Sequence, residues 1–241
     1  MSDKWIDQGL FFQNRGEHRK AVECFVLALQ KETSNAYAWH YKGISLRKLG
    51  EHEEAIEAFD RAIQIEPHNS DFWTNRGMAQ NDQGRYAEAL ESSDKAIAID
   101  PYNALTWILR GFALHNLGRY EDAIACYARA IELNPLGANG RRAWNNRGAA
   151  LDNLRRHEDA IDSYEEAILI DPFDIYAWNN KGVALSALGR HEEALHCFDK
   201  AIEIEPLYAT AWKNKAIGLR SLGRDSEAKA AFNRAKELGL E

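Results

Sequence analysis

The chain has 241 residues, a formal net charge of −7, 45% apolar residues and 28% charged residues. That balance suits a folded, water-compatible protein and disfavours a nucleic-acid binder, whose affinity comes from Lys and Arg displacing counterions from phosphates. No run of 18 apolar residues occurs, and Met1-Ser2-Asp3-Lys4-Trp5 carries no apolar signal core, so the expectation is a cytoplasmic protein with no membrane contact.

The seven tryptophans are Trp5, Trp39, Trp73, Trp107, Trp144, Trp178 and Trp212, at intervals of 34, 34, 34, 37, 34 and 34 residues. A fixed period of this size marks repeats too small to bury their own apolar faces, which therefore stack on one another. With Trp at the fourth place, the units run 2–35, 36–69, 70–103, 104–137, 141–174, 175–208 and 209–241. The predicted organisation is repeats one to four over 2–137, an inter-repeat insertion at 138–140 (Ala138-Asn139-Gly140), and repeats five to seven over 141–241, all one continuous solenoid domain. The insertion is expected to lengthen a turn.

Each unit divides into two helical windows. Gly50, Gly84, Gly118, Gly189 and Gly223 recur at the fifteenth place, where glycine can take the left-handed conformation that closes a helix. Pro67, Pro101, Pro135, Pro172 and Pro206 recur near the end and stop the second helix. Between these stops apolar residues recur at three- and four-residue steps, as in Ile56, Phe59, Ile63 and Leu195, Phe198, Ile202, with no strand alternation. Small residues such as Gly43 with Ala55, and Gly182 with Ala194, let the paired helices approach closely. Departures fall at Thr33 in place of Pro, at Gln80 and Ser93 in apolar slots of the third unit, and at Arg155 in place of the closing Gly of the fifth. The third unit is therefore expected to be the softest joint. Cys24, Cys126 and Cys197 occupy one shared slot and read as packing residues. His18, His52, His157 and His191 share another and read the same way.

Trp39, Gly43, Leu46, Gly50, Ala55, Phe59, Ala62 and Pro67, with the matching series in the sixth unit, resemble the tetratricopeptide repeat. The resemblance covers essentially the whole chain. It implies an all-α fold: a right-handed superhelical solenoid of seven helix-turn-helix repeats. It also implies a non-enzymatic protein-interaction scaffold that binds an extended peptide or helix in a concave groove lined by the first helices. The alternative is structural self-assembly, with uncapped terminal repeats stacking end to end into a homo-oligomer. No phosphate loop, metal-binding or nucleophile motif occurs, so no cofactor, metal or catalytic residue is expected.

The groove places give an apolar first half, including Ile44, Ile108 and Phe112, and a more polar second half. The latter includes Arg142, Asn145, Tyr176, Asn179 and Lys213, with Asn146, Asn180 and Asn214 alongside. An asparagine ladder suits a peptide backbone, because each amide offers a donor and an acceptor; the same Trp-Asn-Asn segments also serve as plain local structure for the unit. Charge on the groove places nearly cancels: Arg47, Lys48, Arg142, Lys213 and Arg220 stand against Asp3, Asp71, Asp82 and Asp152. The cations Lys42, Arg76, Arg110, Arg147, Lys181 and Lys215 recur at the seventh place, point away from the groove, and are expected to partner second-helix acids. The carboxylate clamp of chaperone-tail receptors in the resembling family is not expected: Lys213 is the only Lys at its required fifth place, and no unit has Asn at the ninth.

Overall fold

A computed structural model describes residues 2–240, with side chains from Lys4 onward; Asp3, counted above on the groove face, lies outside the described side chains. Fourteen α-helices and no strand occur among the described residues. They form two compact units. The first, Met1–Arg119, holds α1 (Ser2–Asn14), α2 (His18–Lys31), α3 (Ala36–Lys48), α4 (His52–Ile65), α5 (Ser70–Asp82), α6 (Tyr86–Ile99) and α7 (Ala104–Asn116). The second, Tyr120–Glu241, holds α8 (Tyr120–Leu133), α9 (Ala138–Asn153), α10 (His157–Ile170), α11 (Ile175–Ala187), α12 (His191–Ile204), α13 (Ala209–Ser221) and α14 (Asp225–Glu237).

Helix starts and stops follow local chemistry. Asn35, Asn69, Asn103 and Asp174 each precede a first helix and accept its leading backbone N–H groups, which would otherwise lack partners. The first helices close at residues of positive φ: Gly50, Gly84, Gly118, Gly189 and Gly223 lie between 72° and 79°. Arg155 occupies the same conformation at φ 62°, the only non-glycine to do so among the described residues. A side chain there crowds the following carbonyl, at a cost of about 1–2 kcal/mol.

Each helix pair closes over a small residue. A Cβ on Gly182 of α11 would sit 2.5 Å from the Phe198 ring of α12, and one on Gly43 of α3 would sit 2.6 Å from the Phe59 ring of α4. Phe59 and Phe198 are almost completely buried, with Leu46 and Leu185 beside them. The third repeat is built otherwise. Ser93 stands where the others carry Phe or Tyr, and Gln80 where they carry Leu or, in the first repeat, Phe12; both are buried. Ser92 Oγ lies 2.6 Å from the Gln80 amide, and Arg76 Nη1 donates to Ser92 Oγ at 2.8 Å. A hydrogen-bonded network replaces the aromatic plug.

One sequence expectation changes. Ala138, Asn139 and Gly140 do not extend a turn; they form the first turn of α9, which has 16 residues where the other first helices have 13. Gly140 is buried against the backbone carbonyls of Asn134 and Pro135, where a Cβ would collide with both. The chain therefore starts its helix early because this residue leaves the space to do so. The last helix, α14, differs from its counterparts in the repeat. Leu195 and Ile202 of α12, and Ile56 and Ile63 of α4, fill inter-repeat slots occupied in α14 by Lys229 and Lys236. Lys236 lies over the Phe232 ring, its Nζ 5.2 Å from the centroid. Stacking another repeat on that face would bury two ammonium groups.

Candidate functional site: the first-helix faces

The tryptophans fasten turns. The indole N–H donates to the backbone carbonyl six residues earlier, from Trp39 to Thr33, Trp73 to Pro67, Trp107 to Pro101, Trp178 to Pro172 and Trp212 to Pro206, at 2.9–3.0 Å. Over five of the tryptophans sits the cation three residues on: Lys42, Arg76, Arg147, Lys181 and Lys215, 4.9–5.9 Å from the ring centroid. Four seventh-place cations also reach back to the preceding second helix: Arg76 to Asp60, Arg110 to Asp94, Lys181 to Glu165 and Lys215 to Asp199, at 2.6–2.7 Å. These cations are structural struts, as their place in the repeat predicts.

The fifth and sixth places of neighbouring first helices touch. Asn180 Nδ2 donates to Asn145 Oδ1 at 3.2 Å, and Asn214 Nδ2 to Asn179 Oδ1 at 2.8 Å. In the first unit, Asn75 Nδ2 meets His40 Nε2 at 3.1 Å. Hydrogen bonds of side-chain amides thus join α9 to α11, α11 to α13, and α3 to α5. Asn179 is only 4% exposed and also approaches Asn180 Oδ1, at 3.4 Å. Its carbonyl and amino group are both directed at protein partners. Ile108 is 1% exposed. Asn179 belongs to the contacts that hold α11 to α13, not to the open face, and the Ile108 side chain is buried instead of open to a ligand.

The remaining candidates divide by exposure. Tyr176 (57%) and Phe112 (40%) are open to solvent, as is Arg142; Ile44, Asn145, Asn146, Asn180, Lys213 and Asn214 are half-buried. The most exposed apolar residues of α11 and α13 include two that sequence reasoning passed over, Val183 (43%) and Ile217 (53%). Both stand at the ninth place, one turn beyond the staple residues. Leu10, Ile44, Met78, Phe112 and Ala149 fill the same column. An apolar column at a place predicted to face outward was the available signal.

The charges are sorted by unit. In the first unit Arg47 Nη1 meets Asp82 Oδ2 at 2.8 Å, leaving Lys48 and Asp71 exposed. In the second, Arg142, Lys213 and Arg220 form no ion pair among the described residues. The one acid of that face, Asp152, is engaged: Oδ1 meets His157 Nδ1 at 2.8 Å, and Oδ2 accepts from the Tyr164 hydroxyl at 2.9 Å. Burial pushes the Asp152 carboxyl above its ordinary range despite those two bonds, and pushes the Tyr164 hydroxyl up as well.

The cysteines are buried and none forms a disulfide, and burial raises the Cys197 thiol to about 11, so they act as small packing residues. His18, His52, His157 and His191 are half-buried. No cluster of potential metal ligands occurs among the described residues, and no described helix is long and apolar enough to cross a membrane.

The fold recurs in solved proteins. A tetratricopeptide repeat protein from Parabacteroides merdae aligns over 100% of this chain and 94% of its own, with a TM-score of 0.79 at 17% identity. MamA protein aligns over 72% of this chain and 93% of its own, with a TM-score of 0.61 at 29% identity. YrrB, described as a TPR protein with an unusual peptide-binding site, aligns over 79% and 96%, with a TM-score of 0.60 at 25% identity. Comparison with curated protein sequences found no match. Models of the tetratricopeptide repeat match residues 6–70, 42–104, 104–135, 142–174 and 175–208. The chain therefore belongs to the tetratricopeptide repeat family, whose repeats generally serve as non-enzymatic protein-interaction modules.

Proposed function

We propose that this protein is a scaffold that binds a segment of a partner protein across its first-helix faces, with the strip on α9, α11 and α13 as the main contact. The observation that carries this reading is the exposure of Tyr176, Val183 and Ile217 on helices held in register by part-buried side-chain amide hydrogen bonds. Apolar side chains left open on a rigid support mark interaction surfaces, because little ordering entropy opposes binding to them. The likeness to YrrB, at 25% identity, agrees with a peptide ligand. Asn145, Asn180 and Asn214 border the strip, while Asn179 acts by fixing α11 to α13 beneath it; Ile108 lies on α7 of the first unit.

The test is to select displayed peptides on the whole chain and titrate the winners against Val183→Asp/Ile217→Asp. The pair should weaken binding by about 10-fold or more, since two apolar contacts are lost and charge is set in their place. Circular dichroism should remain unchanged, because both side chains are exposed. Undiminished affinity in the double variant would remove this face from the binding site.

A further inference from the structure

We infer that the first-helix face of the second unit takes an acidic partner segment, with carboxylates towards its two ends and apolar side chains between them. This rests on the proposed function and specifies its ligand. The groove charges cancel only when counted over the whole chain; the second unit keeps Arg142, Lys213 and Arg220 against Asp152 alone. None of the three cations has an ion-pair partner among the described residues, whereas Asp152 is bound by His157 and Tyr164. By contrast, the chain ties up many other cations: Arg76, Arg110, Lys181 and Lys215 each meet an acid of a second helix. These three stand unmatched together on one face.

Their arrangement sets the pattern of the ligand. Arg142 lies on α9, Lys213 and Arg220 on α13, and the exposed Tyr176 and Val183 on α11, which contacts both. Neighbouring packed helices lie about 8–10 Å apart, so the cations bracket the apolar strip over a span of about 20 Å. An extended chain covers that in about six residues. An acidic overall charge does not oppose such a ligand, because charges beyond about 8 Å are largely screened at physiological salt and the local patch decides. The buried staples beneath keep the cations on a fixed frame, so a matching segment gains contact without reorganising the protein.

The experiment uses three pools of fluorescein-labelled peptides with a shared aliphatic and aromatic core, flanked by Asp/Glu, Ser/Gln or Lys/Arg, and reads anisotropy with the full chain. The acidic pool should bind best, weaken as salt rises, and weaken by about 10-fold or more with Arg142→Glu/Lys213→Glu/Arg220→Glu. Arg142→Gln/Lys213→Gln/Arg220→Gln should weaken it less, and circular dichroism confirms that both variants are folded. If the Ser/Gln or Lys/Arg pool binds equally or better and Val183→Asp/Ile217→Asp abolishes that binding, the acidic preference is overturned and the binding face stands. If no pool binds, or binding ignores Val183→Asp/Ile217→Asp, both the preference and the binding face fall.

Discussion

The two units bury polarity unequally. Among the described residues the first encloses His40, Ser45, Thr74, Gln80, Asn81, Ser92, Ser93 and Thr106, while the second encloses Ser163, Asp174 and Asn179. The same repeat ruler runs through both, so spacing fixes where a side chain sits and leaves open what chemistry fills the site. Between the third and fourth repeats Thr74 and Thr106 share a hydroxyl hydrogen bond of 2.8 Å and Asn81 donates to the Leu109 carbonyl, and within the third Gln80 and Ser92 replace an aromatic contact. In the sixth, Phe198, Leu185, Leu195 and Cys197 form an apolar block. Hydrogen bonds add little net stability because water offered the same bonds to the unfolded chain. Apolar burial adds about 25 cal/mol per Å². The second unit should be the firmer of the two.

The largest effect to test is in the cores themselves. Phe198→Ala should cost about 3–5 kcal/mol in urea denaturation, and Ser93→Ala under about 1 kcal/mol. Equal losses at the two sites would break the comparison. Next comes acid. His40 lies among the rings of Tyr41, Phe59 and Phe72, and burial lowers its titration from 6.5 to about 4. The unfolded chain therefore binds the proton first. Stability is intact above pH 6.5 and falls as pH drops towards 4, by up to about 3 kcal/mol. Denaturation curves across that window should show the loss in the native chain and a flatter profile in His40→Phe.

Smaller effects sharpen the contrast. Gly182→Ala drives a methyl into the Phe198 ring and should cost about 1–3 kcal/mol. Gly77→Ala meets Ser92 Cβ at 3.3 Å, and its gain in helix propensity should hold the net change within about 1 kcal/mol. Least of all, Arg155→Gly relieves the strained left-handed residue and should raise stability by about 1 kcal/mol, against the greater entropy of an unfolded glycine. A thermal melt resolves that shift.

Helix order, turn positions and the struts at the seventh place were legible because each depends on one residue type at one spacing. Trp, Gly and Pro act through their own shape, and Arg76 or Lys215 can reach only the helix behind them. The binding face was harder to read. Ile108 and Asn179 share a helical angle with exposed groove residues, and their burial is a matter of tertiary packing, which a one-helix projection omits; for Asn179 the neighbour is Asn214 of α13. Val183 and Ile217 stand at the ninth place, which the repeat predicts to face outward, but nothing in an aliphatic side chain itself declares that its partner is absent. The helical start of α9 at Ala138 depended on the space left by one hydrogen atom at Gly140, a fact of packing alone.

The indole latch makes the molecule its own recorder. Trp39, Trp73, Trp107, Trp178 and Trp212 each bond a carbonyl in a different inter-repeat turn, while Trp5 and Trp144 make no such bond among the described residues. Each indole proton gives a separate nuclear magnetic resonance signal, and its exchange with deuterium times the opening of one turn. Five clocks and two reference signals are thus spread along the chain. The order in which they run down would show whether the repeats come apart from one end, from the polar third repeat, or all at once.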